Sequence, residues 1–141
     1  MDVYAAETDA GLKRANNQDS VFADGPHGLY VVADGVGGHQ GGERASALAV
    51  EVFEQRGPGL FHLLKHFHEE GSKASRNQVL EALDSTCQDA SQAIFDMATQ
   101  EGLNGAATTV VVALIGFGRL FLSHVGDSRA YLLREGRLLG L

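Results

Sequence analysis

Asp34 stands where the apolar run Leu29-Tyr-Val-Val-Ala33 breaks into the glycine-rich stretch Gly35-Val-Gly-Gly-His-Gln-Gly-Gly42. A carboxylate at a strand end, with bare backbone beside it, suits a hard cation. Mg²⁺ and Mn²⁺ take oxygen ligands, and Gly35 has no side chain to keep its carbonyl from the same or a neighbouring ion. Upstream, Arg14-Ala-Asn-Asn-Gln-Asp19 offers a guanidinium and a second carboxylate; downstream, Val125-Gly-Asp-Ser-Arg129 offers a third in Asp127. Arg14 suits a phosphate because its planar fork binds two oxygens at once, which a lysine does less well. Two metals sharing a carboxylate can polarise a water into a nucleophile and neutralise phosphate charge. The set therefore reads as metal-assisted phosphate chemistry. Taken singly, Asp34 reads equally well as a cap on the following helix and Arg14 as half of a surface ion pair; the ordered set favours the chemistry.

Competing motifs fit less well. Gly35-Val-Gly-Gly-His-Gln-Gly41 joins a strand to a helix as a dinucleotide loop does, but the third glycine of G-x-G-x-x-G falls at Gln40, and Asp34 would repel a bare pyrophosphate. No Gly-Lys-Ser or Gly-Lys-Thr is present, which excludes a nucleotide P-loop. His62 and His66 are spaced i, i+4, with His68 beyond, yet no glutamate follows His62 as the zinc helix motif requires, so they read as a solvated helix face. Glu51, Glu54, Glu69 and Glu70 read likewise. Cys87 is the single cysteine, so an internal disulfide is excluded, and its helical surroundings make it a small core side chain.

The elements that must position these residues follow from periodicity. Strands are predicted at Val3 to Thr8, Ser20 to Ala23 and Leu29 to Ala33, separated by Gly11 and Asp24-Gly25-Pro26. Ala45, Leu48, Ala49, Val52 and Phe53 recur at helical spacing from Gly42 to about Gln55, and Gly57-Pro58-Gly59 is read as the stop. Leu60 to Gly71 is read as a short helix with a polar end. Between Asn77 and Gln100, the residues Leu80, Leu83, Cys87, Ala90, Ile94 and Met97 step by three and four and so define a buried face, packed on a sheet. Strand character returns at Thr108 to Ile115, Leu120 to Val125 and Ala130 to Leu133, and Arg134-Glu-Gly-Arg137 reads as a hairpin turn into Leu138-Leu-Gly-Leu141.

The chain has 141 residues, the size of one domain, and 44% hydrophobic content suffices for a core. A net charge of -7 with scattered Lys and Arg argues against nucleic acid, whose backbone affinity needs a basic face. No apolar run reaches membrane-span length and the N-terminus lacks the regions of a signal peptide, so a cytoplasmic protein without membrane contact is expected.

Four motifs in order carry a resemblance: Thr8-Asp-Ala-Gly-Leu-Lys-Arg-Ala-Asn-Asn-Gln-Asp-Ser20, Val32-Ala-Asp-Gly-Val-Gly-Gly-His39, Ala107-Thr-Thr-Val110 and Val125-Gly-Asp-Ser-Arg-Ala-Tyr131. They resemble the bacterial branch of the metal-dependent protein phosphatase 2C (PPM) family. The resemblance implies an α/β fold of the α+β type, an α-β-β-α sandwich of two antiparallel sheets flanked by helices. It implies a protein serine/threonine phosphatase that hydrolyses phosphoserine or phosphothreonine with a metal-activated water. Two or three Mg²⁺ or Mn²⁺ ions would serve a complete site, and the substrates would be phosphorylated proteins, targets of a serine/threonine kinase.

Matched by motif, Asp19 takes an acidic metal-site position, Asp34 the bridge between two metals, Gly35 the backbone carbonyl ligand, Arg14 the phosphate clamp and Asp127 a further metal. Ser128 and Arg129 belong to the last motif and look structural. Gln18 stands where many relatives have Glu, and Ala107 where Gly is commoner. Val36 stands where eukaryotic members place a histidine proposed as general acid; His39, in the same loop, is the candidate substitute because its pKa suits proton donation. Two further aspartates of the family's C-terminal half are not found here. The chain thus reads as the N-terminal portion of a phosphatase domain, incomplete at its C-terminus, with little activity expected alone. The alternative is a non-catalytic phosphoprotein-binding module, a pseudophosphatase or fragment, holding its partner through Arg14. Exposed sheet edges also raise self-association.

Overall fold

The computed structural model describes residues 3–13 and 15–141, including the backbone but not the side chain of His39. Its elements run β1 (Asp19–Asp24), β2 (Leu29–Val36), α1 (Gly38–Glu70), α2 (Lys73–Glu101), β3 (Ala107–Thr108), β4 (Val110–Gly116), β5 (Arg119–Val125), β6 (Tyr131–Arg134) and β7 (Arg137–Gly140). The first five strands form one antiparallel sheet in the order β1-β2-β4-β5, with β3 also paired to β2, and β6 and β7 form a separate hairpin. Two antiparallel sheets and two helices make this an α+β fold.

The β2 pattern explains how the sheet meets the helices. Leu29, Val31, Ala33 and Gly35 are buried, whereas Val32, Asp34 and Val36 are exposed between them, the alternation of a strand covered on one face. On the covered face, Leu29, Val31, Val112, Leu114 and Phe121 pack with Phe53, Leu60, Leu64 and Phe67 of α1 and with Val79 and Leu83 of α2. Towards the α1 start the packing side chains shrink to Ala33, Ala45 and Ala49, which lets the helix approach β2 closely. The opposite face is apolar and open, with Val32, Ile115 and Leu120 all exposed.

Several expectations are corrected. Residues Val3 to Thr8 form no strand; no neighbouring strand among the described residues pairs with them, and a strand exists only as part of a ladder. Strand β2 continues past Ala33 to Val36, so Asp34 lies within the ladder and not beyond it. The main surprise is α1, which passes through Gly57-Pro58-Gly59 as one 33-residue helix and absorbs the predicted short helix from Leu60. Burial accounts for it. Leu60, Leu64 and Phe67 lie beyond the proline and are buried, contributing about 2 kcal/mol each. That exceeds the cost of about 3 kcal/mol for the proline and about 1 kcal/mol for each glycine. Gly57 also faces the sheet, where an added Cβ would lie 3.2 Å from Leu29 Cδ2.

In α2 the buried stripe is Val79, Leu83, Thr86, Ala90, Ile94 and Met97, with Ser75 at its start. Leu80, expected inside, is exposed, and Cys87 is only half-buried. Thr86 can take an interior place because its hydroxyl donates to Ala82 O at 2.7 Å, so no polar group is left unmet. Ser72 caps this helix by accepting from Ser75 N–H at 3.0 Å, and Gly102 ends it in the left-handed conformation. The hairpin predicted around Arg134 to Arg137 is present, with Arg134 opposite Arg137.

Candidate metal centre

The hairpin register brings the first two carboxylates together. Strands β1 and β2 pair so that Asp24 faces Leu29 across the turn, and five residue pairs later Asp19 faces Asp34. Directly opposed residues share a face, and here it is the open one, away from the helices. The next pair along is bonded, Gly35 N–H donating to Gln18 O at 3.0 Å, so the Asp19–Asp34 pair falls at a position where opposed side chains approach most closely. Two opposed carboxylates on one face supply oxygen ligands of the kind a hard divalent ion takes.

Asp34 is not a helix cap. The N-cap of α1 is Gly37, at φ 133°, and no side chain bonds the cap. The glycines instead permit close backbone approach: a Cβ on Gly35 would lie 2.0 Å from Gly42 O and 2.6 Å from Gln18 O. Gln18 closes the turn by donating from Nε2 to Gly38 O at 2.6 Å. Asn17 orients its neighbour, its Oδ1 accepting from Asp19 N–H at 3.0 Å while its Nδ2 donates to Thr8 Oγ1 at 2.8 Å. Ser20 Oγ meets the buried Ser46 Oγ at 3.0 Å and so ties β1 to α1.

Asp127 lies exposed in the loop after β5. It reaches the pair only indirectly. Its neighbour Ser128 hydrogen-bonds Thr109, and Thr109 bonds the backbone of Asp34. A cavity of about 320 Å³ beside this loop is lined by His124, Asp127 and Arg129 among others. Among the described residues no three His, Cys, Asp or Glu side chains cluster closely enough to hold an ion. Asp19, Asp34 and the bare backbone at Gly35 supply oxygen donors of the kind a hard cation takes, but not a full ligand set. Arg14 lies outside the described residues, as does the side chain of His39.

The other sequence candidates fall elsewhere. His66 pairs with Glu70 at 3.7 Å on the outer face of α1, and His68 stacks on Phe117 with centroids 4.4 Å apart. Hydrogen bonds from Ser72 and Ser75, ahead of the His66 charge, lower the Glu70 pKa. Cys87 sits under the sheet with Sγ 3.7 Å from Ser123 Oγ, and burial pushes its thiol pKa up, the opposite of an activated nucleophile. Sequence reasoning passed over Asn17, Gln18 as a turn latch, and Thr109. The Asx type of Asn17 in a loop was one signal, and Gln18 and Thr109 stood within the four motifs, although their bond partners could not be read from them.

Comparison with known proteins bears on the chain as a whole. The family described as Protein phosphatase 2C matches residues 12–140. The serine/threonine protein phosphatase PstP of Mycobacterium tuberculosis is 39% identical over 136 residues, which is 96% of this chain and 23% of that protein. A crystal structure of the M. tuberculosis serine/threonine phosphatase PstP/Ppp superposes with a TM-score of 0.77 at 38% identity, over 97% of this chain and 52% of that one. A structure of the PstP catalytic domain in complex with 2 manganese ions gives 0.74 at 38% identity, over 97% and 53%. The chain therefore spans about a quarter of that curated relative and about half of each solved chain. With a family model matching residues 12–140 and a relative 39% identical over 96% of its length, this chain belongs to the protein phosphatase 2C family.

Proposed function

We propose that residues 1–141 are the N-terminal portion of a metal-dependent phosphatase domain that hydrolyses phosphoserine and phosphothreonine in proteins. The observation that carries this reading is the register that sets Asp19 opposite Asp34 on the open face, beside Gly35. In this reading Asp34, Asp19 and the Gly35 carbonyl would hold the ions, and Asp127 would hold a further one. Mg²⁺ or Mn²⁺ held there would lower the pKa of a water to make a nucleophile and offset phosphate charge. The residues of the chain do the rest. Arg14 clamps the phosphate oxygens in a bidentate fork and fixes their orientation. His39 gives a proton to the departing serine or threonine oxygen. The manganese ions in the PstP catalytic domain support this use of the site. A cytoplasmic location and phosphorylated protein substrates belong to the same reading, as does self-association through sheet edges such as β1.

A second reading, a non-catalytic phosphoprotein-binding module, is favoured by one observation: no three-ligand cluster exists among the described residues. The test is phosphate release from a phosphothreonine peptide with Mn²⁺, beside peptide binding measured without turnover. Slow Mn²⁺-dependent release that disappears in Asp34→Ala supports the phosphatase. Equal release by Asp34→Ala overturns it, and binding without release, lost in Arg14→Ala, selects the second reading.

A further inference from the structure

The ladder between β2 and its neighbour is interrupted at one residue, Thr109, which separates β3 from β4 although both keep the same register against β2. At this break Thr109 holds both backbone groups of Asp34. Its N–H donates to Asp34 O at 2.9 Å, and its Oγ1, in place of a main-chain carbonyl, accepts from Asp34 N–H at 3.2 Å. The same Oγ1 hydrogen-bonds Ser128 Oγ, in the loop that carries Asp127. A hydroxyl has two acceptor positions and one proton, so it serves both partners at once. The methyl group of Thr109 is used as well. Gly126, at φ 94°, packs on it so closely that a Cβ there would lie 2.7 Å from Thr109 Cγ2.

We propose that Thr109 is a positioning residue that couples the Asp127 loop to Asp34, so that the position of one carboxylate depends on the other. The inference rests on the metal-centre reading for its purpose but not for its geometry. Valine at this position keeps the shape and methyl contact and removes only the oxygen; serine keeps the oxygen and removes the methyl.

Amide hydrogen exchange on the 141-residue chain, without metal, tests the coupling. Thr109→Val should speed exchange about tenfold at Asp34 and across Gly126 to Ala130, the scale of one lost hydrogen bond, while Thr109→Ser stays within about twofold of the parent chain. Ser128→Ala should loosen the loop and leave the Asp34 amide protected, which separates a coupling from general destabilisation. Unchanged exchange in Thr109→Val, or a Thr109→Ser chain as loose as the valine one, would overturn the proposal. A parallel Mn²⁺ titration by electron paramagnetic resonance should show weaker binding in Thr109→Val and recovery in Thr109→Ser. Binding indifferent to Asp34→Asn would remove the metal reading while the exchange result still decides the coupling.

Discussion

Replacing Gly35 by alanine adds one methyl group at the tightest point beside the proposed centre. The new Cβ would stand 2.0 Å from Gly42 O, 2.5 Å from Gly42 C and 2.6 Å from Gln18 O, all backbone atoms that no rotamer change can move. Strand β2 and the start of α1 must separate by roughly 1 Å, an overpacking that costs about 2 kcal/mol. That displacement pulls on the Gly35 N–H to Gln18 O bond and on the Gln18 Nε2 to Gly38 O bond. Losing both adds about 2 kcal/mol, for a total of about 4 kcal/mol. For a chain of this size the melting temperature should fall by about 12 °C, at roughly 3 °C per kcal/mol. Gly59→Ala is the matched control. Its Cβ meets nothing within 4 Å and it lies inside α1, so it should raise the melting temperature by about 2 °C. Circular dichroism melts of the parent and both variants make the comparison. A Gly35→Ala chain melting within 3 °C of the parent (about 1 kcal/mol) would refute the close-approach reasoning.

Pro58→Ala should stabilise the chain by about 1–3 kcal/mol in urea, because Pro58 interrupts one continuous helix; a loss of stability would mean that it starts a second one. Gln18→Leu removes the latch on the Gly38 carbonyl and should lower stability by about 1–2 kcal/mol, read from the same urea curves. Cys87 gives a pH dependence. Burial raises its pKa, so the native chain holds the thiol proton more tightly than the unfolded one, and stability should fall as pH rises above about 8.5. Urea midpoints between pH 7 and 9.5 should show a steeper fall in the parent than in Cys87→Ala, and parallel curves would contradict the assignment.

What could be read from the sequence depended on whether the signal was local. Asp34 before a run of glycines, and Asp19 after paired asparagines, are visible as residue types at a spacing. That the two face each other is a property of register, set by the turn from Asp24 to Leu29, and no periodicity prints it. Proline at position 58 was a local stop signal outweighed by three buried side chains further along. The α2 stripe departs from its apolar spacing at Leu80 and Cys87 because hydrophobicity alone does not decide which side chains go inside. Thr86 met its hydrogen-bond need within its own helix and went inside, and Leu80 came out. Thr109 was legible as a β-branched strand residue within the Ala107-Thr-Thr motif, but its part in joining Asp34 to Ser128 needs two elements separated by most of the chain.

The central claim is that Asp19 and Asp34 form a divalent-cation site, and Mn²⁺ binding to the parent chain and to Asp34→Asn tests it most directly. Electron paramagnetic resonance of free Mn²⁺, titrated into each protein, reads the bound fraction. The parent chain should bind and Asp34→Asn should lose that binding. Mn²⁺ bound equally by both proteins, or by neither, would contradict the account.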